Sequence, residues 1–340
     1  MPPLVERPRA EAEVVAVVRQ AAAAGRPVTL ERPHGDEVGI DLGGYGRLLR
    51  VDRDRGQATA EAGISLRRLG EALGAWGLCL ENGAGDASRR LGWAVSWAAH
   101  GTGAAFGGLV SQISALRLVT PQGAAVRCSA TEEPEIFAAA RAGLGAVGVI
   151  STVTVRCQPG FNLHVTSATV DIDEALADFD TLADGNDHFR LTWRPGRRQA
   201  RVTTANRTAE PADGRRVDRS YRWFNRGGGA ARQGIEYSLP RTAAGPVLHS
   251  LVGANRPAGK RPDFPIVVSV TAGDDVPLSP AEGRPSVYIA GVAGLDGRRQ
   301  WVPGLDPEPF RSLYPRFGQW EAARDRLDPQ RRFAYTSGQG

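Results

Sequence analysis

The six residues Gly143-Leu144-Gly145-Ala146-Val147-Gly148 constrain the fold of this chain most, because of what flanks them. A helical pattern over 134–142 precedes them, and a β-branched run over 149–155 follows. A dinucleotide-binding GxGxxG of the Rossmann kind requires the opposite order, strand then helix, so that a diphosphate meets the helix N-terminus. It also requires an acidic residue near the ribose, and Asp171 lies beyond the next strand. The spelling matches a Rossmann site, but the context excludes one.

Around this turn the first 160 residues alternate helix and strand. The spacing of Val14, Val17 and Val18 predicts a helix over 11–24, stopped by Gly25. Short strands are expected at 27–30, 47–51 and 57–62. Ser65 is placed to cap a helix over 66–73, closed by Gly74. Runs 113–120 and 124–128 flank Pro121-Gln122-Gly123 as a hairpin, and Thr131 is placed to cap the helix over 134–142. Beyond Pro159, strand-like runs at 163–170, 266–271 and 286–291 enclose a polar, Arg- and Gly-rich middle, and 310–327 reads as a terminal helix burying Trp320 and Leu327. The expectation is two domains, 1–160 and 161–340.

Length and composition agree with a folded two-domain chain: 340 residues, 41% hydrophobic and 23% charged. No 18-residue apolar run is present, so no membrane span is expected. The N-terminal segment lacks the pattern of a secretory signal. Cys79, Cys128 and Cys157 have no metal-ligand or disulfide spacing, which points to free thiols in a reducing cytoplasm and to no metal site. Lys260 is the one lysine against 42 basic residues, so the positive charge is almost all arginine. The arginines of 194–232 alternate with Asp213, Asp218, Gly and Pro, without any nucleic-acid motif, and read as a solvated loop.

Several segments in this order resemble the FAD-binding domain of the vanillyl-alcohol oxidase family, in its sugar-lactone and alditol oxidase branch. They are Gly63 with Leu66, Leu73 and Gly77-Leu78; Gly85-Asp86; His100-Gly101-Thr102-Gly103; and the turn 143–148 with Val149-Ile150. The second half is similar at Glu236-Tyr237-Ser238-Leu239-Pro240, at Asp274-Asp275 with Leu278-Ser279-Pro280, and at Leu313-Tyr314-Pro315-Arg316 through Leu327-Asp328-Pro329. The resemblance implies an α+β fold: a two-subdomain PCMH-type FAD-binding domain, then a mixed-sheet substrate (cap) domain whose C-terminal segment returns to the flavin site. It implies hydride transfer from a small hydroxylated substrate to FAD. The cofactor contacts it implies are Gly85, Asp86, Ser96, His100, Gly101, Gly103, Gly145, Gly148, Val149 and Ile150.

Several positions depart from that pattern. The family's glycine-bearing diphosphate loop, with its flavin-linking histidine, is replaced by a shorter segment over 30–39. Its Pro33 lacks a donor, and Glu31, Asp36 and Glu37 carry the wrong charge for phosphate. His34 is the candidate for covalent attachment, though non-covalent FAD is favoured. Trp93 and Trp97-Ala98-Ala99 replace small and hydroxylated residues of the second flavin loop. The catalytic lysine motif falls on Gln300-Trp301-Val302-Pro303, and the substrate-side Glu and Arg fall on Val267 and Ser269. Two other readings therefore stand beside the oxidase. One is a flavin-free lyase or cyclase using His34, His188, Glu236 or Tyr237. The other is a non-catalytic protein partner that docks through the arginine-rich middle.

Overall fold

The computed structural model describes residues 4–30, 33–226, 235–254, 265–302 and 308–333. Glu31, Lys260, Pro303 and positions 227–232 of the arginine-rich segment lie outside the described residues. Strands β1 (Leu4–Glu6), β2 (Val28–Thr29) and β3 (Val38–Ile40) form a small parallel sheet in the order β1-β3-β2. Parallel neighbours need a crossover. Helix α1 (Glu11–Ala23) supplies one, turning Val14, Val18 and Ala21 inward before Gly25 reverses the chain at φ +66°.

The next strands are β4 (Leu48–Asp52), β5 (Gln57–Glu61), β6 (Leu78–Cys79), β7 (Ile113–Val119), β8 (Ala125–Ser129), β9 (Val149–Arg156) and β10 (Gln158–Pro159). All but β6 and β10, which pair with each other, form an antiparallel sheet in the order β4-β5-β9-β7-β8. The expected hairpin is present as β7–β8, with Gly123 at φ +74° in its turn. Ser65 caps α2 (Leu66–Ala75) by accepting from the Arg68 N–H at 3.2 Å. That helix passes through Gly74, which stays helical, and Gly77 (φ +69°) makes the reversal instead. Helices α3 (Leu91–Ser96) and α4 (Pro134–Ala140) complete this half. Thr131 does not cap α4: its hydroxyl faces the Ser129 hydroxyl at 3.4 Å, and Glu133 starts the helix from a left-handed conformation.

Strands β11 (Asn162–Asp171), β12 (His188–Trp193), β13 (Gln199–Thr208), β14 (Val217–Arg219), β15 (Glu236–Pro240), β16 (Ile266–Thr271), β17 (Ser286–Ala290) and β18 (Arg298–Arg299) form the second large sheet. Its order is β14-β11-β13-β12-β16-β17-β15-β18. Helices α5 (Ile172–Ala177), α6 (Phe179–Asp184) and α8 (Ala244–Ala254) contribute to a core on one face with Phe189, Leu191, Leu239, Val268, Val270 and Ile289. Alternation along each strand sends the intervening residues to the other face. Much of 194–232, expected as solvated loop, is instead ordered as β13, β14 and α7 (Ser220–Asn225). Its polar groups are used internally: the Asp213 carboxylate accepts from the N–H groups of Arg215, Arg216 and Val217, and buried Asp218 pairs with Arg226 at 2.6 Å.

The expected terminal helix is split. A 3-10 turn, Glu308–Leu313, and α9 (Phe317–Leu327) are separated at Pro315, which cannot continue a helical hydrogen-bond ladder. Trp301, Tyr314, Phe317, Trp320, Leu327 and Phe333 return to the core of the first half. Burying each of the two tryptophans is worth about 4–6 kcal/mol of gross transfer free energy, so this return strongly favours the closed arrangement. Its last contacts reach the small parallel sheet, where the Val28 N–H donates to the Arg332 carbonyl at 2.7 Å.

One glycine holds β5 against the preceding turn. The Gly63 N–H donates to the Tyr45 carbonyl at 2.9 Å, and a Cβ here would lie 1.9 Å from the Leu42 carbonyl oxygen. We expect Gly63→Ala to lower unfolding stability by about 3 kcal/mol, read as a shift of the urea midpoint at unchanged m-value.

Candidate functional site: a cleft and a domain seam

A cavity of about 440 Å³ lies between the small parallel sheet and α3, within the ~300–1,000 Å³ range of small-molecule sites. Leu30, Ile40, Ala62, Ile150, Trp93 and Trp97 line it, with Asp41, Ser88, Arg89 and Arg90 adding its polar groups. Local geometry keeps it open. Gly92 donates its N–H to the Ala62 carbonyl at 2.8 Å, and a Cβ on it would lie 2.8 Å from the Ala62 methyl. The 143–148 turn is tied under α3: Ala142 N–H donates to Val95 and Leu144 N–H to Ser96, both at 3.0 Å. Gly148 sits at φ +135°, where a Cβ would lie 2.5 Å from the Val119 carbonyl oxygen.

Of the ten positions the resemblance implies, Ile150 lines this cavity directly. Ser96 and Gly145 lie next to it, Gly145 against Leu30 and the Ser96 carbonyl anchoring the turn, whereas Gly148 and Val149 meet Val119 of β7. The Asp86 carboxylate accepts from the N–H and hydroxyl of Ser88 and faces Arg89 at 3.4 Å. Gly85 lies away from the cavity, beside a small hollow shared with Tyr221 and Phe224. His100, Gly101 and Gly103 lie at the seam between the two halves rather than in the cavity. His34 is exposed on the loop after β2.

The segment Trp97-Ala98-Ala99 makes a sharp turn at the end of α3. Ala98 has φ +51°, a left-handed conformation natural to glycine and costly for alanine. Gln300 pins the loop from above, its amide donating to the Trp97 carbonyl at 2.6 Å and to the Ala98 carbonyl at 3.3 Å. Downstream, the Gly103 N–H donates to the Val270 carbonyl at 2.7 Å, and Gly103 bridges Thr271 in the cap sheet.

At this seam His100 stacks on Tyr288, with ring centroids 3.6 Å apart and planes 20° apart. Its Nε2 lies 3.2 Å from Glu236 Oε2, and its Nδ1 lies 3.0 Å from the Gly101 carbonyl oxygen. A carbonyl can only accept, so Nδ1 carries a hydrogen; the contact to Glu236 then holds a second, shared proton. Burial pulls the His100 pKa down, but the Glu236 charge, its hydrogen bond and the Gly101 carbonyl outweigh it, so the net shift is upward. Arg190 opposes that rise. Burial also lowers the Arg190 pKa, partly offset by Glu236. The Tyr288 hydroxyl is pushed up by burial and then by the Asp274 and Glu236 charges.

Strand register explains why these groups meet. Arg190 pairs with Ser269, which pairs with Tyr288, which pairs with Ser238. The next row is Thr192, Val267, Ala290 and Glu236. Partners across a sheet project to one face. A carboxylate and a guanidinium thus stand in the two rows that contain Val267 and Ser269, but on different strands. His188 and Tyr237 contribute nothing to this cluster. His188 is buried against Phe106, Trp223 and Phe224, with Nδ1 donating to the Thr102 carbonyl at 2.9 Å. Burial lowers its pKa to about 4. Tyr237 lies on the opposite, core face, where its hydroxyl accepts from Gly294 N–H.

Sequence comparison agrees with this layout. Residues 2–129 match the model described as an FAD binding domain, and 153–227 and 212–294 match the D-arabinono-1,4-lactone oxidase model. The L-gulono-1,4-lactone dehydrogenase of Mycobacterium tuberculosis is 31% identical, over 98% of this chain and 94% of that protein. The chain belongs to the sugar-1,4-lactone oxidase family.

The L-gulonolactone oxidase of Scyliorhinus torazame is 28% identical, over 88% of this chain and 84% of that protein. The D-arabinono-1,4-lactone oxidase of Eremothecium gossypii is 31% identical over 62% of this chain and 42% of that protein. As a member of the family the chain is an FAD-linked oxidoreductase, and the flavin-free readings are not favoured. The alignment to the mycobacterial relative runs over 405 positions against a chain of 340, so at least 65 of them are gaps on this side. Among the described residues no helix is long and apolar enough to cross a membrane. The cavity suits FAD: its walls are apolar and aromatic, and two guanidinium groups adjoin them.

Two outcomes follow. Ala98→Gly should raise stability by about 0.5–1 kcal/mol, since the left-handed strain released exceeds glycine's extra chain entropy; chemical denaturation reads it. The His100–Glu236 pair raises the folded pKa of His100, so its contribution is fully present below pH ~6.5 and lost as pH rises through the raised value. Wild type should therefore exceed Glu236→Gln in thermal midpoint near pH 6, with the gap narrowing toward pH 9.

Proposed function

We propose that this chain oxidises a secondary hydroxyl of a small sugar-lactone or polyol, with residues 1–160 holding FAD non-covalently and residues 161–340 forming the substrate cap. The observation that carries the reading is the 3.2 Å contact between His100 of the cofactor half and Glu236 of the cap sheet. It sets a titratable pair at the junction of the two halves. Cys79, Cys128 and Cys157 are all free, which suits work in the cytoplasm.

When bound, FAD supplies the hydride acceptor. Leu30, Ala62 and Ile150 would hold it through their apolar surfaces, with Trp93 and Trp97 offering ring faces. His34 makes a poor attachment point. Its backbone N–H donates to Glu37 Oε2 at 2.8 Å, in a loop whose side chain points to solvent rather than lining the cavity.

Losing a hydride from carbon requires the hydroxyl proton to leave. The His100–Glu236 pair, once its shared proton is gone, accepts that proton between Nε2 and Oε2. The carbonyl of Gly101 keeps the imidazole oriented through Nδ1–H, and the Tyr288 ring fixes its plane. Arg190 brings a buried positive charge to the same face, where the relatives' guanidinium would otherwise come from position 269. The pair must be deprotonated to act, so the rate rises with pH through an apparent pKa above the ordinary histidine value.

Anaerobic mixing with L-gulono-1,4-lactone, D-arabinono-1,4-lactone and alditols, followed by the flavin absorbance, tests this. Wild type should bleach with one of these, and His100→Asn and Glu236→Gln should slow bleaching by about 10²–10³-fold with flavin still bound. A loaded wild type that none of these compounds bleaches overturns the substrate class. Variants that bleach at the wild-type rate overturn the proton-accepting pair.

A further inference from the structure

The described part of the loop after β2 offers a diphosphate few backbone donors beyond Gly35 and Asp36. Pro33 has no N–H, the His34 N–H is taken by the Glu37 carboxylate, and the Glu37 N–H is taken by the His34 carbonyl at 3.1 Å. The start of α3 offers no replacement, because Leu91 N–H donates to Ile64 and Gly92 N–H to Ala62, both at 2.8 Å. A dinucleotide in this cleft would find few backbone donors for its two phosphate charges on either side.

Two guanidinium groups adjoin the same cleft. Arg89 is half-exposed, lies 4.2 Å over the Trp93 ring and faces Asp86 at 3.4 Å. Arg90 donates to the Gly63 carbonyl at 3.0 Å through one nitrogen and faces Asp41 at 3.4 Å through the other. Each is held by the ring or the carbonyl and by a longer carboxylate contact, and each retains donors of its planar fork. The carboxylate distances exceed those of tight charge-assisted bonds, ~2.7–2.9 Å. A diphosphate would be the stronger partner, since arginine forks match phosphate geometry with two parallel bonds.

We propose that Arg89 and Arg90 form a side-chain cradle for the FAD diphosphate, replacing the backbone loop of the relatives; the proposal rests on the flavin reading above. The consequence is a cofactor site that depends on charge rather than on turn geometry. It should discriminate strongly between flavins with and without a diphosphate, and it should weaken with salt.

The test is binding by the apo-protein of FAD, ADP and riboflavin, measured by flavin fluorescence and, for ADP, by calorimetry. Arg89→Gln and Arg90→Gln should each weaken FAD and ADP roughly tenfold or more, leaving riboflavin unchanged. Arg90→Lys should fall between, since it keeps charge but loses the fork, and Arg55→Gln on a remote turn should match wild type. Wild-type FAD and ADP affinities should also fall as salt rises from 50 to 500 mM, a readout that needs no variant to fold. A wild type that binds FAD and ADP with no salt dependence, or an Arg89→Gln/Arg90→Gln protein that binds them as wild type does, overturns the cradle alone. A wild type that takes none of the three ligands overturns the flavin reading, and the cradle with it.

Discussion

The backbone bond from Gly103 to Val270 is the interaction on which the rest of the seam depends. It splices the His100–Gly103 segment onto the cap sheet, and it tolerates no side chain: a Cβ on Gly103 would lie 2.2 Å from the Asp187 carbonyl oxygen. Because this register is fixed, His100 arrives opposite β17 and β15, stacked on Tyr288 and within reach of Glu236. A buried charged pair is expensive to desolvate and persists only where geometry compensates. Here the compensation is a carbonyl behind one nitrogen, a carboxylate before the other and a phenol ring beneath.

The cofactor half was legible because its signals are local. Turn residues at 121–123, the Ser65 cap and the helix–glycine–strand order around 143–148 each follow from a few adjacent residues, and each appears in the fold. The misreadings arose where tertiary contacts overrode local preference. Gly74 remained helical under the Tyr221 ring, and the arginine-rich middle became β13, β14 and α7 once Asp213 and Asp218 found backbone and guanidinium partners.

The candidate site was half legible. His100 and Ile150 could be named from motifs, whereas Arg190 and Tyr288 carry no signal of their own: strand pairing alone sets them beside Ser269, and no spacing in the chain encodes that. Reading positions 267 and 269 one residue at a time takes no account of the sheet around them. Neighbouring strands fill the same rows with Glu236 and Arg190. The cleft shows a similar pattern, with side-chain donors gathered where backbone donors are engaged elsewhere.

The return of the C-terminal segment bears on how the molecule is made. Val28, in the first parallel sheet, takes its acceptor from Arg332, and Trp301, Trp320 and Phe333 fill the core beside it. Chains emerging from the ribosome generally fold their N-terminal domain first. In this protein that order cannot run to completion: the half built from the earliest residues stays open along one side until residue 333 has been synthesised. The cap sheet, whose strands all lie between 162 and 299, faces no such delay. The nascent chain would thus carry a finished cap beside a cofactor fold that is completed only after it, once residue 333 has joined the core.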